Sequence, residues 1–397
     1  MSEGNFHVII IGAGISGLLA AQGLKKKGIS FAVYESEPSA DHYRPREWGM
    51  SVQWGLPMLE DVLPKELFDT VSKAANDPYF TPPDPGVLPT WNGATGEHIK
   101  DVPLLRMYRV SRRRFRAHCA QGINISYGKV FDHYSFDDAA GTVTAHFKDG
   151  TTATGTTLIG TDGAQSPVRM SIFGPEKGKV TPVPYCGVNL HVKYGDKEKA
   201  LFVRQKHPIM THAIHPDGYW LWISIQDVPD PNDPATWTFQ LQCTWKNKGN
   251  DDPTDYKALM EKAKTFGEPF KSAFLWVPEG TPLYANFLSY WRPQPFDTKN
   301  GRITLLGDAA HPMTFQRGQG LNHCIADART LSKEFEAANK GEKTLAEAIE
   351  AYQEEMIRRA GEEVEIGIGN TEMLHDWSRF LLSPLIVRGG DPNKPKS

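Results

Sequence analysis

Apolar residues along the chain fall into blocks with different periods. His7 to Ile11 is an unbroken, β-branched run, the pattern of a strand buried on both faces. From Ile15 to Lys27 the residues Leu18, Leu19, Ala21 and Leu24 share one helical face, and Gly28 stands where that helix would stop. Phe31-Ala32-Val33-Tyr34 then resumes strand character. This order predicts a βαβ unit with parallel strands and a right-handed crossover.

The pattern then changes. Asn76 to Asn92 is dense in turn formers, which predicts no regular structure there. Met107 to Ala120 is basic and predicts a helix. Thr142–Phe147 and Thr151–Ile159 read as strands, with Asp149-Gly150 as the hairpin signal between them. Between Val180 and Tyr284 strand-like runs recur at Cys186–Val192, Ala200–Val203, Met210–Ile214, Tyr219–Ile225 and Thr236–Thr244. Loops rich in Pro, Asp and Asn separate them, so an inserted, mainly antiparallel sheet is expected. A nucleotide-type strand returns at Arg302–Gly307, and beyond Gly320 the pattern is helical nearly to the end.

At 397 residues, with 40% hydrophobic and 23% charged positions, the chain has the composition of a globular protein of two or three domains. A formal net charge of −3 gives no global field for nucleic acid or an anionic membrane, so neither partner is expected. Cys119, Cys186, Cys243 and Cys324 have no CxxC or metal-ligand spacing, which predicts reduced thiols and no metal site. The start, MSEGNFHVIII, lacks a basic region, and no apolar run of about 18 residues occurs. Neither a signal peptide nor a membrane anchor is expected, and the final Pro395-Lys396-Ser397 is not a clean peroxisomal tripeptide. A cytoplasmic location follows as the expectation.

Three glycine–acid turns carry the candidate chemistry. Gly12-Ala13-Gly14-Ile15-Ser16-Gly17 lies between the first strand and helix. There Gly12 permits the tight turn, Gly14 lets backbone approach a pyrophosphate, and Gly17 lets helix and strand pack closely. The helix N-terminus offers N–H groups to phosphates. Glu35 ends the second strand, where an acid accepts hydrogen bonds from ribose hydroxyls. A carboxylate there disfavours a 2′-phosphate, so the site suits FAD or NAD better than NADP. The second turn, Gly307-Asp308-Ala309-Ala310-His311-Pro312, precedes Gly318-Gln319-Gly320-Leu321-Asn322. Asp308 is a candidate acceptor for a ribityl or ribose chain, and a helix beginning near Leu321 aims its positive end over the turn. The third is Gly160-Thr161-Asp162-Gly163, which alone reads as an ordinary turn.

In this order and spacing the three turns resemble the flavoprotein monooxygenases of the para-hydroxybenzoate hydroxylase class (class A). The resemblance implies an α/β fold: a Rossmann-like FAD-binding domain, an inserted antiparallel β-sheet substrate domain and a C-terminal helical segment. On this chain the FAD-binding parts would be 1–75, 107–179 and 285–330, the substrate-domain parts 76–106 and 180–284, and the C-terminal helices 331–397. It further implies that Gly12, Ala13, Gly14, Ser16, Gly17 and Glu35 hold FAD. Asp162-Gly163 matches the family's DG motif and Asp308 the GD aspartate on the ribityl chain. Arg112 matches an arginine that contacts FAD, Arg113 being the neighbouring register. Gly49 falls where the family approaches FAD, and Gly320, Leu321 and Asn322 supply the helix N-terminus at the ring. The implied reaction consumes NADPH (or NADH) and O₂, hydroxylating or epoxidising a small aromatic, indolic or polyketide-like metabolite by way of a C4a-hydroperoxyflavin. The run Met313 to Arg317 departs from the family's Pro-Pro-x-x-Gly-Gln-Gly, which leaves the substrate-side contacts open.

Trp220 with Trp222, and Trp237 with Phe239, are two apart and so share a face within each run; they are candidate walls of a substrate pocket and equally candidate core. Arg44 and Arg46 are candidates to reach the flavin edge or a substrate phenolate. His212 and His215 would face opposite sides of a strand, so at most one of them can serve as a base; His212 is the candidate. Trp220-Leu221-Trp222-Ile223 also resembles the WxWxIP stretch of flavin-dependent halogenases, although Ser224-Ile225 does not match. An FAD-containing isomerase or cyclase and a non-catalytic flavoprotein remain open alternatives at this point.

Overall fold

A computed structural model describes residues 6–42 and 44–383; the carboxyl-terminal tripeptide considered above lies outside them. Along the chain, β1 (His7–Ile11), α1 (Ile15–Lys26) and β2 (Ser30–Tyr34) form the expected βαβ unit. There follow β3 (Gly49–Val52), α2 (Leu59–Val62), α3 (Lys65–Phe68), β4 (Gly86–Asn92), β5 (His98–Leu104), β6 (Tyr108–Ser111) and α4 (Arg112–Cys119). Next come β7 (Ile125–Ser126), β8 (Phe131–Asp137), β9 (Thr142–Phe147), β10 (Thr152–Gly155), β11 (Thr157–Gly160) and α5 (Pro167–Lys177). The inserted region holds β12 (Thr181–Lys193), α6 (Lys197–Arg204), β13 (Met210–His215), β14 (Tyr219–Asp227), β15 (Thr238–Lys246), α7 (Tyr256–Ala263), α8 (Phe270–Leu275) and β16 (Leu283–Tyr290). Finally β17 (Ile303–Leu305) leads to α9 (Gly320–Asn339), α10 (Leu345–Leu374) and α11 (Trp377–Leu381).

Five parallel strands form one sheet in the order β17-β11-β1-β2-β7. Its apolar run Val8 to Ile10 is fully buried, because α1 and the three-stranded β10-β9-β8 sheet both pack on it, the cover that a continuous hydrophobic strand requires. A second sheet of seven strands, β16-β12-β15-β14-β13-β4-β5, is antiparallel except where β13 runs parallel to β4. A ribbon of β3 and β6 lies between the two sheets.

Local expectations fail where tertiary pairing outweighs local signals. Gly86–Asn92 is a strand despite Pro89, because β13 and β5 flank it on both sides. Ala200–Val203 is helical, not a strand: Asp196 accepts a hydrogen bond from the Lys199 N–H and caps a helix over that short apolar run. The basic stretch from Met107 divides into β6 and then α4, which Ser111 caps by accepting from the Arg114 N–H.

Candidate active site

Strands β1, β11 and β17 are neighbours in a parallel sheet, so the turns at their carboxyl ends emerge along one edge. Those turns are the three glycine–acid segments, and they touch. A Cβ on Gly12, whose φ is +107°, would lie 2.7 Å from the Thr161 carbonyl oxygen. A Cβ on Gly307 would lie 2.2 Å from Ser16 Oγ. Arg169, fully buried, donates to the carbonyls of Ala309 at 2.8 Å and Ala164 at 2.5 Å. It thereby ties the turn after β11 to the turn after β17, a role that only the strand order could reveal.

Each glycine of the first turn has its own physical demand. Gly17 permits contact between α1 and β1, since a Cβ there would sit 2.0 Å from the Gly12 carbonyl oxygen. Gly14 has nothing within 4 Å of a Cβ position, and it faces open space at the N-terminus of α1. Glu35, buried at the end of β2, accepts from the Ala13 N–H at 2.7 Å and the Glu37 N–H at 2.9 Å. Burial raises its pKa, but these hydrogen bonds, one from Ser36 and the charge of Arg116 together hold it below the ordinary carboxylate range.

Asp308 opens to the groove between the turns, and among the described residues its carboxylate has no hydrogen-bond partner. The surrounding protein nevertheless desolvates it, which raises its pKa; Asp327 adds to that shift, while His311, Arg112 and Arg169 oppose it. Arg112 lies against the Trp48 ring, 4.9 Å from its centroid. Its guanidinium likewise has no hydrogen-bond partner among the described residues, whereas Arg113 donates to the Arg44 carbonyl. At the start of α9 the first intrahelical-type bond comes from the His323 N–H, to Gln319 at 3.2 Å. The N–H groups of Gly320, Leu321 and Asn322 are therefore left for a ligand. An open phosphate turn, an unpartnered acid, an unpartnered guanidinium and a free helix N-terminus along one groove fit a flavin dinucleotide.

Several expected residues take other roles. Both oxygens of Asp162 are engaged within its own turn, by Ser166 Oγ and by the Val168 N–H at 3.0 Å, so it shapes that turn. Asn322 is fully buried as a clamp: Oδ1 accepts from the Gln53 N–H at 2.8 Å, and Nδ2 donates to the Ser51 carbonyl at 3.0 Å. Only its backbone is left for a cofactor. Gly49 makes room for protein, because a Cβ there would meet Arg109 Nε and Asn76 Nδ2, each at 2.7 Å. A residue the sequence did not single out, Asp327, holds the second acid turn from beneath. It accepts from the Gly307 N–H at 2.9 Å, His311 Nε2 at 2.6 Å and Arg359 at 2.7 Å.

The seven-stranded sheet presents two unlike faces. Register places Leu221, Ile223, Leu241, Cys243 and Val188 on one side, and Trp220, Trp222, Ser224, Gln240, Gln242 and Asn189 on the other. The second face meets the cofactor groove: the Gly49 N–H donates to Gln240 Oε1 at 3.2 Å, and Asn189 Nδ2 to the Glu47 carbonyl at 3.3 Å. Trp220 and Trp222 stack at 5.5 Å, and Phe315, just before the Gly318 turn, meets Trp220 edge-on at 5.9 Å. Trp237 and Phe239 belong to the opposite face and are not pocket walls. Trp237 lies under Arg204, and Phe239 packs on Tyr194 among α6 and α8.

The proposed catalytic set is also rearranged. His212 is fully buried, and Trp220 Nε1, a donor only, bonds its Nδ1 at 3.1 Å. The ring proton therefore sits on Nε2 and is donated to Thr90 Oγ1 at 2.7 Å. Burial pushes its pKa down to about 4. With both nitrogens occupied, His212 is not the base. Arg44 pairs with Glu37, which also binds Arg116 at 2.6 Å, so it belongs to the Glu35 end of the groove. Arg46 donates to Asn286 Oδ1 of β16 and lies 5.6 Å from the Trp48 ring that Arg112 also flanks.

Fold and groove together define a flavin-dependent oxidoreductase built on one dinucleotide-binding domain and a substrate sheet. Residues 116–365 match the family model of the FAD binding domain, and residues 10–71 that of the NAD(P)-binding Rossmann-like domain. The chain is 41% identical to the FAD-dependent monooxygenase phnB of Penicillium herquei, over 98% of this chain and 96% of that protein. It is 38% identical to the FAD-dependent monooxygenase cctM of Talaromyces islandicus, over 96% of each. Among solved structures, Klebsiella pneumoniae HpxO complexed with FAD and uric acid superposes with a TM-score of 0.75, at 22% identity, over 98% of this chain and 93% of that one. The chain belongs to the FAD-dependent monooxygenases.

Proposed function

We propose that this monooxygenase uses NADPH and O₂ to hydroxylate or epoxidise a small aromatic, indolic or polyketide-like secondary metabolite. The observation that supports the substrate class is the aromatic cluster on the cofactor-facing side of the sheet, where the fully buried Trp220 backs Trp222 and Phe315, and Phe315 leads into the Gly318 turn. A flat, electron-rich ring stacks on such a cluster. Bound flavin supplies the redox and oxygen chemistry.

The chain's own residues do the rest. Gly12, Gly14 and the N-terminus of α1 receive the pyrophosphate, and Glu35 receives ribose hydroxyls. Asp308 accepts from the ribityl chain, while Arg169 and Asp327 keep its turn in place. The free N–H groups of Gly320 to Asn322, with the dipole of α9, stabilise negative charge at the pyrimidine edge of the ring. The aromatic cluster keeps water from the reacting atoms. His212 stays neutral and holds Trp220 in orientation. Any base would have to be another group, and epoxidation of an alkene or indole needs none.

Anaerobic mixing of the FAD-loaded protein with NADPH, alone and with a panel of aromatics, tests this reading. Faster flavin bleaching with one compound, followed by oxygen uptake and an oxygenated product, is expected. Turnover without stoichiometric NADPH consumption would favour an isomerase or cyclase instead, and no flavin reduction by NADPH under any ligand a non-catalytic flavoprotein.

A further inference from the structure

Alternation puts Gln240, Gln242 and Thr244 of β15 on the side of the seven-stranded sheet that meets the cofactor groove. The outer two are fully buried. Gln240 lies under the β3/β6 ribbon, where its Oε1 accepts from the Gly49 N–H at 3.2 Å and from Arg109 Nη2 at 3.1 Å. Thr244 lies under the end of α10, with His375 Nε2 2.8 Å from its Oγ1, and Phe315 closes on Trp220, its partner across the ladder. These two supports are four residues apart, about 13 Å along the strand. Gln242 lies between them and is only half-buried, although β12 and β14 pair with its strand on both sides. The exposure therefore belongs to its side chain, which looks into a gap between the sheet and the groove. Tyr284, on the same face of the edge strand β16 beyond Asn189, is also half-buried, so the gap continues to the rim of the sheet.

The amides on this face hold one another in a single orientation. The Gly49 N–H and the Arg109 guanidinium can only donate, so they fix the Gln240 oxygen towards themselves and turn its Nε2 to Asn189. That Nε2 donates to Asn189 Oδ1 at 2.7 Å, and Asn189 Nδ2 donates to the Glu47 carbonyl at 3.3 Å. Asn189 Oδ1 can only accept, so Gln242 must offer it an N–H, and does so from Nε2 at 3.1 Å. Gln242 Oε1 is left without a partner among the described residues, and it is not one of their sealed-off polar atoms. A relay that begins at the cofactor ribbon thus ends in one oriented acceptor, open to the gap.

We propose that Gln242 Oε1 is the specificity contact for a substrate hydroxyl that keeps its proton. The pocket then takes a neutral phenol or enol as a hydrogen-bond donor. It disfavours a ring without a donor, which would cover the acceptor and leave it unpaired, and an oxyanion, which would meet the negative end of the amide dipole. This rests on the aromatic-oxygenation reading above and adds to it the polarity of the group that is recognised.

The test titrates para-cresol into the FAD-loaded protein and follows the perturbation of the flavin absorbance. The control is para-fluorotoluene, which has nearly the same shape and no proton to donate. In the wild type the cresol should bind about 5- to 100-fold more tightly. Gln242→Met keeps the length of the side chain and removes the acceptor, so it should abolish that preference by weakening the cresol alone. Retained flavin absorbance reports an intact fold in the variant, and the wild-type comparison stands without it. Equal affinities in the wild type, no binding of the cresol, or an undiminished preference in Gln242→Met would overturn the proposal. If both compounds bind alike and both speed NADPH-driven bleaching, the proposal falls and the monooxygenase reading stands.

Discussion

Two glycines three positions apart should respond to alanine with opposite signs. At Gly17 the added methyl lies 2.0 Å from the Gly12 carbonyl oxygen and 2.6 Å from Thr161 Oγ1. Neither can retreat freely, because Thr161 Oγ1 donates to the Ile11 and Gly12 carbonyls at 2.8 Å each. Relief means prising α1 from β1, so Gly17→Ala should cost at least the ~1–3 kcal/mol typical of overpacking. At Gly14, φ −67° and ψ 178° suit any residue, and nothing lies within 4 Å. Gly14→Ala should therefore stabilise the apoprotein by about 0.4–1 kcal/mol through the unfolded chain. The same methyl enters the space where phosphate must approach the α1 N–H groups. Losing one charge-assisted hydrogen bond there costs about 1.5–3 kcal/mol, or roughly 10- to 150-fold in FAD affinity. Thermal melts of apoprotein and titration of flavin fluorescence measure both effects. Wild-type FAD affinity in Gly14→Ala would refute the assignment of the phosphate site, and an unchanged melt in Gly17→Ala would refute the packing argument.

Other substitutions probe the rest of the groove. Asp308→Ala should give largely colourless protein that keeps its secondary structure, checked by absorbance and circular dichroism, since among the described residues the Asp308 carboxylate bonds no other group. Asp327→Ala strands His311 and Arg359 and should cost about 3–5 kcal/mol, lowering the melting temperature along with FAD retention. Acid should destabilise the fold through its buried and half-buried histidines. The pKa values of His191, His207, His212 and His375 are each held at about 4, mainly by burial, against about 6.5 when unfolded. The unfolded state then binds more protons, so stability is full above pH ~6.5 and falls by up to ~1.4 kcal/mol per unit per histidine towards pH ~4. His212→Gln should flatten that slope in pH-dependent melts without moving the pH–rate profile; a shifted rate profile would restore His212 as a base.

The groove was largely legible in the sequence because its parts are local. Gly12 to Gly17 must turn between a strand and a helix, and Glu35 must close the next strand, whatever the rest of the chain does. Gly307-Asp308 and the start of α9 are similarly self-contained. The substrate side was less legible. Alternation correctly paired Trp220 with Trp222 and Trp237 with Phe239, but an alternating pattern cannot say which face of a sheet meets the cofactor. His212 looked like a base because nothing nearby in sequence shows that Thr90 and Trp220 occupy both of its nitrogens. Arg109 stood unremarked in a basic run beside Arg112, Arg113 and Arg114, since its burial against Trp222 and Gln240 is a property of distant neighbours.

By itself, then, the sequence determined the βαβ start, the three glycine–acid turns and the insertion of a second sheet, because backbone conformation and hydrophobic period act over a few residues. Only the tertiary structure decided that the turns share one edge, that the face of the sheet carrying Trp220 rather than Trp237 meets it, and that Arg109 lies buried against that face. Those facts depend on strand order and on which surfaces are pressed together, and the free energy of burying a group is set by contacts far away along the chain.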